Sequence, residues 1–327
     1  MNDFLRIEDL TVEYRSGRRH VHAVNSLDLQ VGEGEALGFV GETGAGKTTT
    51  ALSILRILPN PPAKVLSGKV IFKGQDLFQL SEREMRAIRG EEIAMIFQDP
   101  MTSLDPVKTV GDQICEMIQL HQRCSKKEAW QKAGDMLETV GIDRNRAGEY
   151  PHQFSGGMKQ RVVIAIALSC RPSLLIADEP TTALDVTIQA QILELMKDLK
   201  KQYQSSMIMI THDLGIVAEI CDNVAIMYAG CVLEYGSVFE IYKDPRHPYT
   251  RALFDSIPDV NRDQERLKVI NGLPPDPTDI PAGCPFHPRC PHCMERCKTE
   301  KPEAVHLNET HWVKCFLARE EGRRAHE

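Results

Sequence analysis

Apolar positions along the chain recur in two rhythms. The runs "EALGFVG", "EEIAMIF", "SLLIADEP" and "SSMIMIT" are continuous apolar stretches of the kind that form strands buried on both faces. Stretches with helical spacing follow them, "KTTTALSILRIL", "TIQAQILELMKDLKKQY" and "LGIVAEI". That alternation predicts βα units around a mainly parallel sheet, an α/β fold. Near the N-terminus, "LRIEDLTVEY" and "VNSLDLQV" alternate apolar with polar, as expected of an antiparallel, half-exposed sheet. Between Asp105 and Tyr150 the spacing is helical with no convincing strand, which predicts an all-helical insertion at about 105–155. After Gly236 the texture changes to a proline-rich connection marked by Pro258, Pro274, Pro275, Pro277 and Pro281. A boundary is therefore expected near residue 236, separating 1–236 from a small C-terminal extension at 237–327.

Composition narrows the function classes. With 327 residues, 42% hydrophobic and 26% charged, the chain reads as globular and long enough for one large domain plus a smaller one. The formal charge of -7 and the absence of a long basic stripe speak against nucleic acid as a main partner, and the basic cluster from Arg15 to Arg19 reads as a solvated turn. The opening "MNDFLRIEDL" has no basic region followed by an apolar core, so the chain is expected to stay in the cytosol. Ten cysteines in a reducing compartment argue against a disulfide framework, and Cys115, Cys124, Cys170, Cys221 and Cys231 read as single thiols.

Three motifs carry chemistry. "GETGAGKT", Gly41 to Thr48, fits G-x-x-x-x-G-K-[ST] between an apolar strand and a helix, the context of a phosphate-binding loop. Backbone N–H groups of such a turn point at phosphate oxygens, Lys47 reaches the β- and γ-phosphates, and the Thr48 hydroxyl coordinates Mg²⁺. "LLIADEP" ends an apolar strand in two carboxylates, placing Asp178 to hold the metal and leaving Glu179 to polarise a water. "FSGGMKQR", ahead of the helix Val162 to Leu168, offers Ser155, Gly156 and Gly157 as a second anion site at a helix start, or as a simple N-cap with a glycine pair.

Together these residues resemble the nucleotide-binding subunits of ATP-binding cassette transporters over about residues 5 to 235. "GETGAGKT" is similar to Walker A, Gln98 in "IFQDP" to the Q-loop, "FSGGMKQR" to the signature, "LLIADEP" to Walker B, "TALD" ending at Asp185 to the D-loop, and His212 in "ITHD" to the switch histidine. The signature departs from L-S-G-G-Q at Phe154 and Met158 but keeps its serine and glycines. The resemblance implies that ATP is held by Tyr14 against adenine and by Gly41, Gly44, Gly46, Lys47, Thr48 and Thr49 around the phosphates. It places Mg²⁺ at Thr48, Gln98 and Asp178, and assigns catalysis to Glu179, His212 and Gln98. Ser155, Gly156, Gly157 and Asp185 act across a dimer in which neither subunit completes a site alone. "RHPYTRALFDSIP" followed by "CPFHPRC" resembles the extension of oligopeptide and dipeptide importer ATPases, related nickel importers included. The partners so implied are a homologous second ATPase, two transmembrane permease subunits and an extracytoplasmic peptide-binding protein, with the chain peripheral at the cytoplasmic face of the membrane. A nickel or other small-solute importer is one alternative reading, and a soluble non-transport cassette ATPase another.

"GCPFHPRCPHCMERC", Gly283 to Cys297, remains. Cys284, Cys290, Cys297 and Cys315 match the peptide-importer spacing, in which some members hold a [4Fe-4S] cluster, and the neighbouring prolines stiffen the loop. Cys293 departs from that pattern. Cys290-x2-Cys293 with His287 or His292 could instead begin a tetrahedral zinc site, and the third alternative is a set of inert thiols with no metal.

Overall fold

Every residue of Ala36–Val40, Leu174–Asp178 and Ser206–Thr211 is buried, which is why these strands carry unbroken apolar runs rather than alternation. The computed structural model describes residues 4–182, 184–256 and 269–318, so Ala183 of the "TALD" run and Pro258 lie outside the described residues. The chain forms β1 (Leu5–Ser16), β2 (Arg19–Val31), β3 (Ala36–Val40), α1 (Lys47–Ile54), β4 (Ala63–Phe72), β5 (Gln75–Asp76), α2 (Glu82–Ile88) and β6 (Ile93–Ile96). The helices α3 (Pro100–Ser103), α4 (Val110–His121), α5 (Lys126–Thr139) and α6 (Gly156–Leu168) follow. Next come β7 (Leu174–Asp178), α7 (Val186–Tyr203), β8 (Ser206–Thr211), α8 (Leu214–Ile220), β9 (Asn223–Tyr228) and β10 (Cys231–Ser237). The remainder comprises α9 (Val238–Lys243), α10 (Pro248–Asp255), α11 (Glu295–Thr299), β11 (Val305–His306) and β12 (Trp312–Val313).

The chain divides into two compact units, the first made mainly of Val31–Ala36 and Leu77–Thr211, the second of the described parts of Asp3–Gln30, Leu37–Asp76 and His212–Glu327. In the first unit β6, β7 and β8 pair in parallel, Ile93 opposite Leu174 and Leu174 opposite Ser206. From α3 to α6 helices are joined by turns and loops, with no strand among the described residues. Thr109 caps α4 through Asp112 N–H, and Ser125 with Glu128 forms a capping box on α5. Apolar faces close the α4/α5 pair, with Ile114, Ile118, Ala129, Ala133 and Leu137 buried.

In the second unit a four-stranded sheet runs β2-β1-β4-β5, with β1 antiparallel to β4. A mixed sheet joins β3 in parallel to β9, then β10 and β12 antiparallel, then β11. Residues beyond 236 thus add strands to the same sheet as β3. Tyr235 and Trp312 stack at 5.9 Å across that pairing. The fully buried Glu234 carboxylate accepts hydrogen bonds from His311 Nε2 (2.9 Å) and from the backbone N–H of Arg246 (2.7 Å) and His247 (2.9 Å), which fixes the entry into α10.

Candidate functional site

The phosphate loop spans the six residues between β3 and α1. Gly46 takes φ 101°, and a Cβ there would stand 2.2 Å from the Ala23 carbonyl oxygen, so only glycine fits. Gly46 also occupies the N-cap of α1 without a side-chain cap, leaving the helix N-terminus to an anion. Gly41 is buried and Gly44 exposed at φ 81°. Lys47 is 7% exposed, and its Nζ donates to the carbonyls of Gly41 (2.6 Å) and Glu42 (3.1 Å). Thr48 is exposed, whereas the Thr49 hydroxyl lies 3.3 Å from the hydroxyl of the half-buried Tyr14 at the end of β1. His212, exposed, follows β8, and Asp213 caps α8 through the N–H groups of Gly215 and Ile216.

In the first unit, Asp178 ends β7 at 3% exposure. Glu179 adopts φ 46°, a left-handed backbone that costs energy for a side-chain-bearing residue, and its N–H donates to the Ile210 carbonyl at 2.9 Å. One carboxylate oxygen, Oε2, accepts from Gln98 Nε2 (2.9 Å) and Thr182 Oγ1 (2.8 Å). The structure therefore brings Gln98 onto Glu179. Ser155 sits exposed at the N-cap of α6 and makes no side-chain capping bond, which leaves both its hydroxyl and the first N–H groups of that helix facing outward chemistry. Gly156 is exposed; a Cβ on Gly157 would come within 2.5 Å of Ile188, so close approach of α7 requires that glycine. Asp185 caps α7, accepting from Ile188 N–H at 2.9 Å. The two residues that depart from the signature share one contact. The Arg146 guanidinium lies 4.4 Å from the Phe154 ring centroid and donates to Met158 Sδ at 3.4 Å, while pairing with Glu149 at 2.7 Å.

The five cysteines of the extension separate by packing. Cys284, Cys290, Cys297 and Cys315 line one cavity of about 20 Å³, together with His247, His287 and His292. Cys293 is exposed, does not line it, and donates to the Met294 carbonyl at 3.5 Å. Burial pushes the Cys284 thiol up to about 12 and Cys290 up to about 11. His247 is pushed down to about 4, again by burial, so its ring is neutral at pH 7. Its Nδ1 accepts from Tyr249 N–H at 3.0 Å, which puts the ring proton on Nε2, a buried donor with no hydrogen-bond partner among the described residues. His287 Nδ1 lies 3.0 Å from the Cys284 carbonyl. Among the described residues no group of three or more His, Cys, Asp or Glu side chains stands arranged to hold a metal ion.

Comparison with known proteins decides the family. Residues 24–182 match the ABC transporter family and residues 233–297 the C-terminal region of oligopeptide/dipeptide transporters. The chain is 50% identical over 319 residues to a probable peptide ABC transporter ATP-binding protein of Sinorhizobium fredii, covering 97% of this chain and 95% of that protein. It is 49% identical over 316 residues to the oligopeptide transport ATP-binding protein OppD of Bacillus subtilis, covering 96% and 88%. The chain belongs to the ATP-binding cassette transporter ATPases. A solved dimeric cassette in a post-hydrolysis state with ADP and Pi superposes with a TM-score of 0.65 at 26% identity, covering 72% of this chain and 98% of that one. Family membership brings ATP and Mg²⁺ to this cassette ATPase.

One part of the cassette's surroundings carries no motif. Glu42, second in the phosphate loop, accepts both guanidinium nitrogens of Arg289, Nη1 to Oε2 at 2.8 Å and Nη2 to Oε1 at 3.1 Å. Its N–H donates to the Tyr249 hydroxyl at 3.1 Å. No local pattern announces either contact, because 247 and 207 residues separate the partners along the chain. Only the carboxylate within the loop, demanding a cation from somewhere, hints at the first.

Proposed function

We propose that the chain is the energy-coupling subunit of a membrane importer for dipeptides or oligopeptides, bound peripherally at the cytoplasmic face of the membrane. The observation that carries this reading is the joining in one chain of a cassette and the oligopeptide/dipeptide transporter C-terminal region, which we divide functionally at about residue 236. Among the described residues no helix is long and apolar enough to cross a membrane, so passage belongs to two permease subunits, fed by an extracytoplasmic peptide-binding protein. A homologous second ATPase completes the nucleotide sites. Lys47 and the loop N–H groups hold the phosphates, Tyr14 the adenine, Thr48, Gln98 and Asp178 the metal. Glu179 polarises the attacking water, with His212 on the γ-phosphate. Ser155, Gly156, Gly157 and Asp185 serve nucleotide bound by the partner ATPase. The exposed, uncapped helix start at Ser155 supports that role.

The isolated chain is accordingly expected to hydrolyse ATP slowly and to accelerate on assembly with its partners. Phosphate release measured against protein concentration, with and without the membrane subunits, checks this. Full, concentration-independent turnover by the chain alone, or copurification with ribosomes or DNA in place of multi-spanning subunits, overturns the reading.

Two observations support a thiolate-held group as our reading of this segment: Cys284, Cys290, Cys297 and Cys315 line one cavity with His247, and the exposed Cys293 stays outside it, although the described side chains do not stand in a ligating arrangement. Cys284, Cys290, Cys297 and Cys315 would hold a [4Fe-4S] cluster, whose ligation supplies folding free energy to an extension with few strands of its own. Anaerobically purified protein is expected to be brown, to contain iron and acid-labile sulfide, and to lose both in Cys290→Ser. Colourless protein with one equivalent of zinc and Cys293 protected from alkylation would replace this assignment with the zinc alternative.

A further inference from the structure

We infer that Arg289 is a positioning residue for the phosphate loop, acting through Glu42. The inference rests on the proposed nucleotide role of that loop. Glu42 contributes to the loop twice: its carbonyl, with that of Gly41, receives the Lys47 ammonium, and its carboxylate projects from the same residue. A carboxylate at that point opposes the polyanion the loop binds. Arg289 cancels it. The guanidinium is 6% exposed, and all five of its N–H donors are engaged: two on the Glu42 carboxylate, one on the Tyr228 hydroxyl (3.2 Å), and one each on the carbonyls of Ile270 (3.3 Å) and Asn271 (3.1 Å). Lysine could not reproduce that fork.

The geometry of Arg289 is set by the extension. Its N–H donates to the Phe286 carbonyl in the turn His287–Arg289, and the next residue is Cys290, which lines the cysteine cavity. Phe286, 1% exposed, lies 5.3 Å from both the Tyr228 and Tyr249 rings and 5.9 Å from His247. Tyr249 then holds the Glu42 N–H. The extension thus fixes both the charge and the backbone of the second loop residue, and the loop's affinity for ATP depends on a side chain more than 240 residues away.

The sign of the effect distinguishes charge compensation from mere docking. In the purified full chain, Arg289→Met leaves Glu42 uncompensated and partly buried, and is expected to raise the Kd for ATP about tenfold, more at low ionic strength. Glu42→Gln removes the charge that Arg289 compensates, so the double variant Glu42→Gln/Arg289→Met is expected to return to within about threefold of the parent. Arg289→Lys, which keeps the charge and loses the fork, falls between, and serves where Arg289→Met does not fold. Unchanged ATP affinity with a lowered thermal midpoint reduces Arg289 to a docking contact, and a double variant no better than Arg289→Met removes Glu42 from the explanation. Lys47→Ala in the same titration separates the two readings: if it weakens binding while Arg289→Met does not, only this inference fails, and if it too binds as the parent, the phosphate-loop role itself fails.

Discussion

Glu179→Gln in the assembled transporter is expected to lower ATP turnover by at least about a hundredfold while leaving ATP affinity within about twofold of the parent. The side chain accepts from Gln98 Nε2 and Thr182 Oγ1 through one oxygen, and glutamine retains an oxygen for those two donors. On the proposed role, what it loses is the charge that would polarise water, a contribution of roughly 10²–10⁴ in rate for a positioned general base. The backbone at Glu179, held at φ 46° and tied by its N–H to Ile210, does not depend on the side-chain charge, so the substitution leaves the local fold in place. Steady-state phosphate release together with equilibrium ATP titration tests both halves. Turnover within threefold of the parent would remove Glu179 from the reaction.

Lys47→Ala is expected to act on binding instead. The ammonium is buried within the loop and already turned onto its carbonyls, so on the proposed role it would meet an incoming phosphate with little reorganisation. Deleting a charge-assisted contact costs about 1.5–3 kcal/mol, a rise in Kd of roughly tenfold to a hundredfold. The same deletion frees two loop carbonyls, so the thermal midpoint without nucleotide is expected to fall slightly and the stabilisation by added ATP to shrink much more. A ligand-induced shift in midpoint equal to the parent's would contradict the role.

Much of this protein was legible along the chain because its chemistry is locally encoded. A phosphate loop needs glycines where the backbone turns left-handed or passes close to another strand, as at Gly46, and a lysine at the helix start; those requirements fall within eight consecutive residues. The buried strands β3, β7 and β8 have no polar face, so their runs are readable without knowing what covers them. The caps of α4, α5 and α10, the last opened by Pro248, are likewise set within three or four residues. The helical insertion followed from spacing alone.

What the tertiary structure decided are relations between segments that share no local signal. The short strands β11 and β12 have too few residues to show a period, and join the sheet only because β10 offers an edge and Glu234 a buried acceptor for His311. Five closely spaced or distant cysteines look alike in sequence; packing places Cys284, Cys290, Cys297 and Cys315 around one cavity and leaves Cys293 in solvent. Phe154 and Met158 read as departures until Arg146 is seen against both. Arg289 and Tyr249 reach Glu42 across more than 200 residues. Sequence determines what must be satisfied within a turn of backbone. Which distant group satisfies a charge or a buried donor is settled only when the chain folds back, because burial raises the cost of leaving either unpaired.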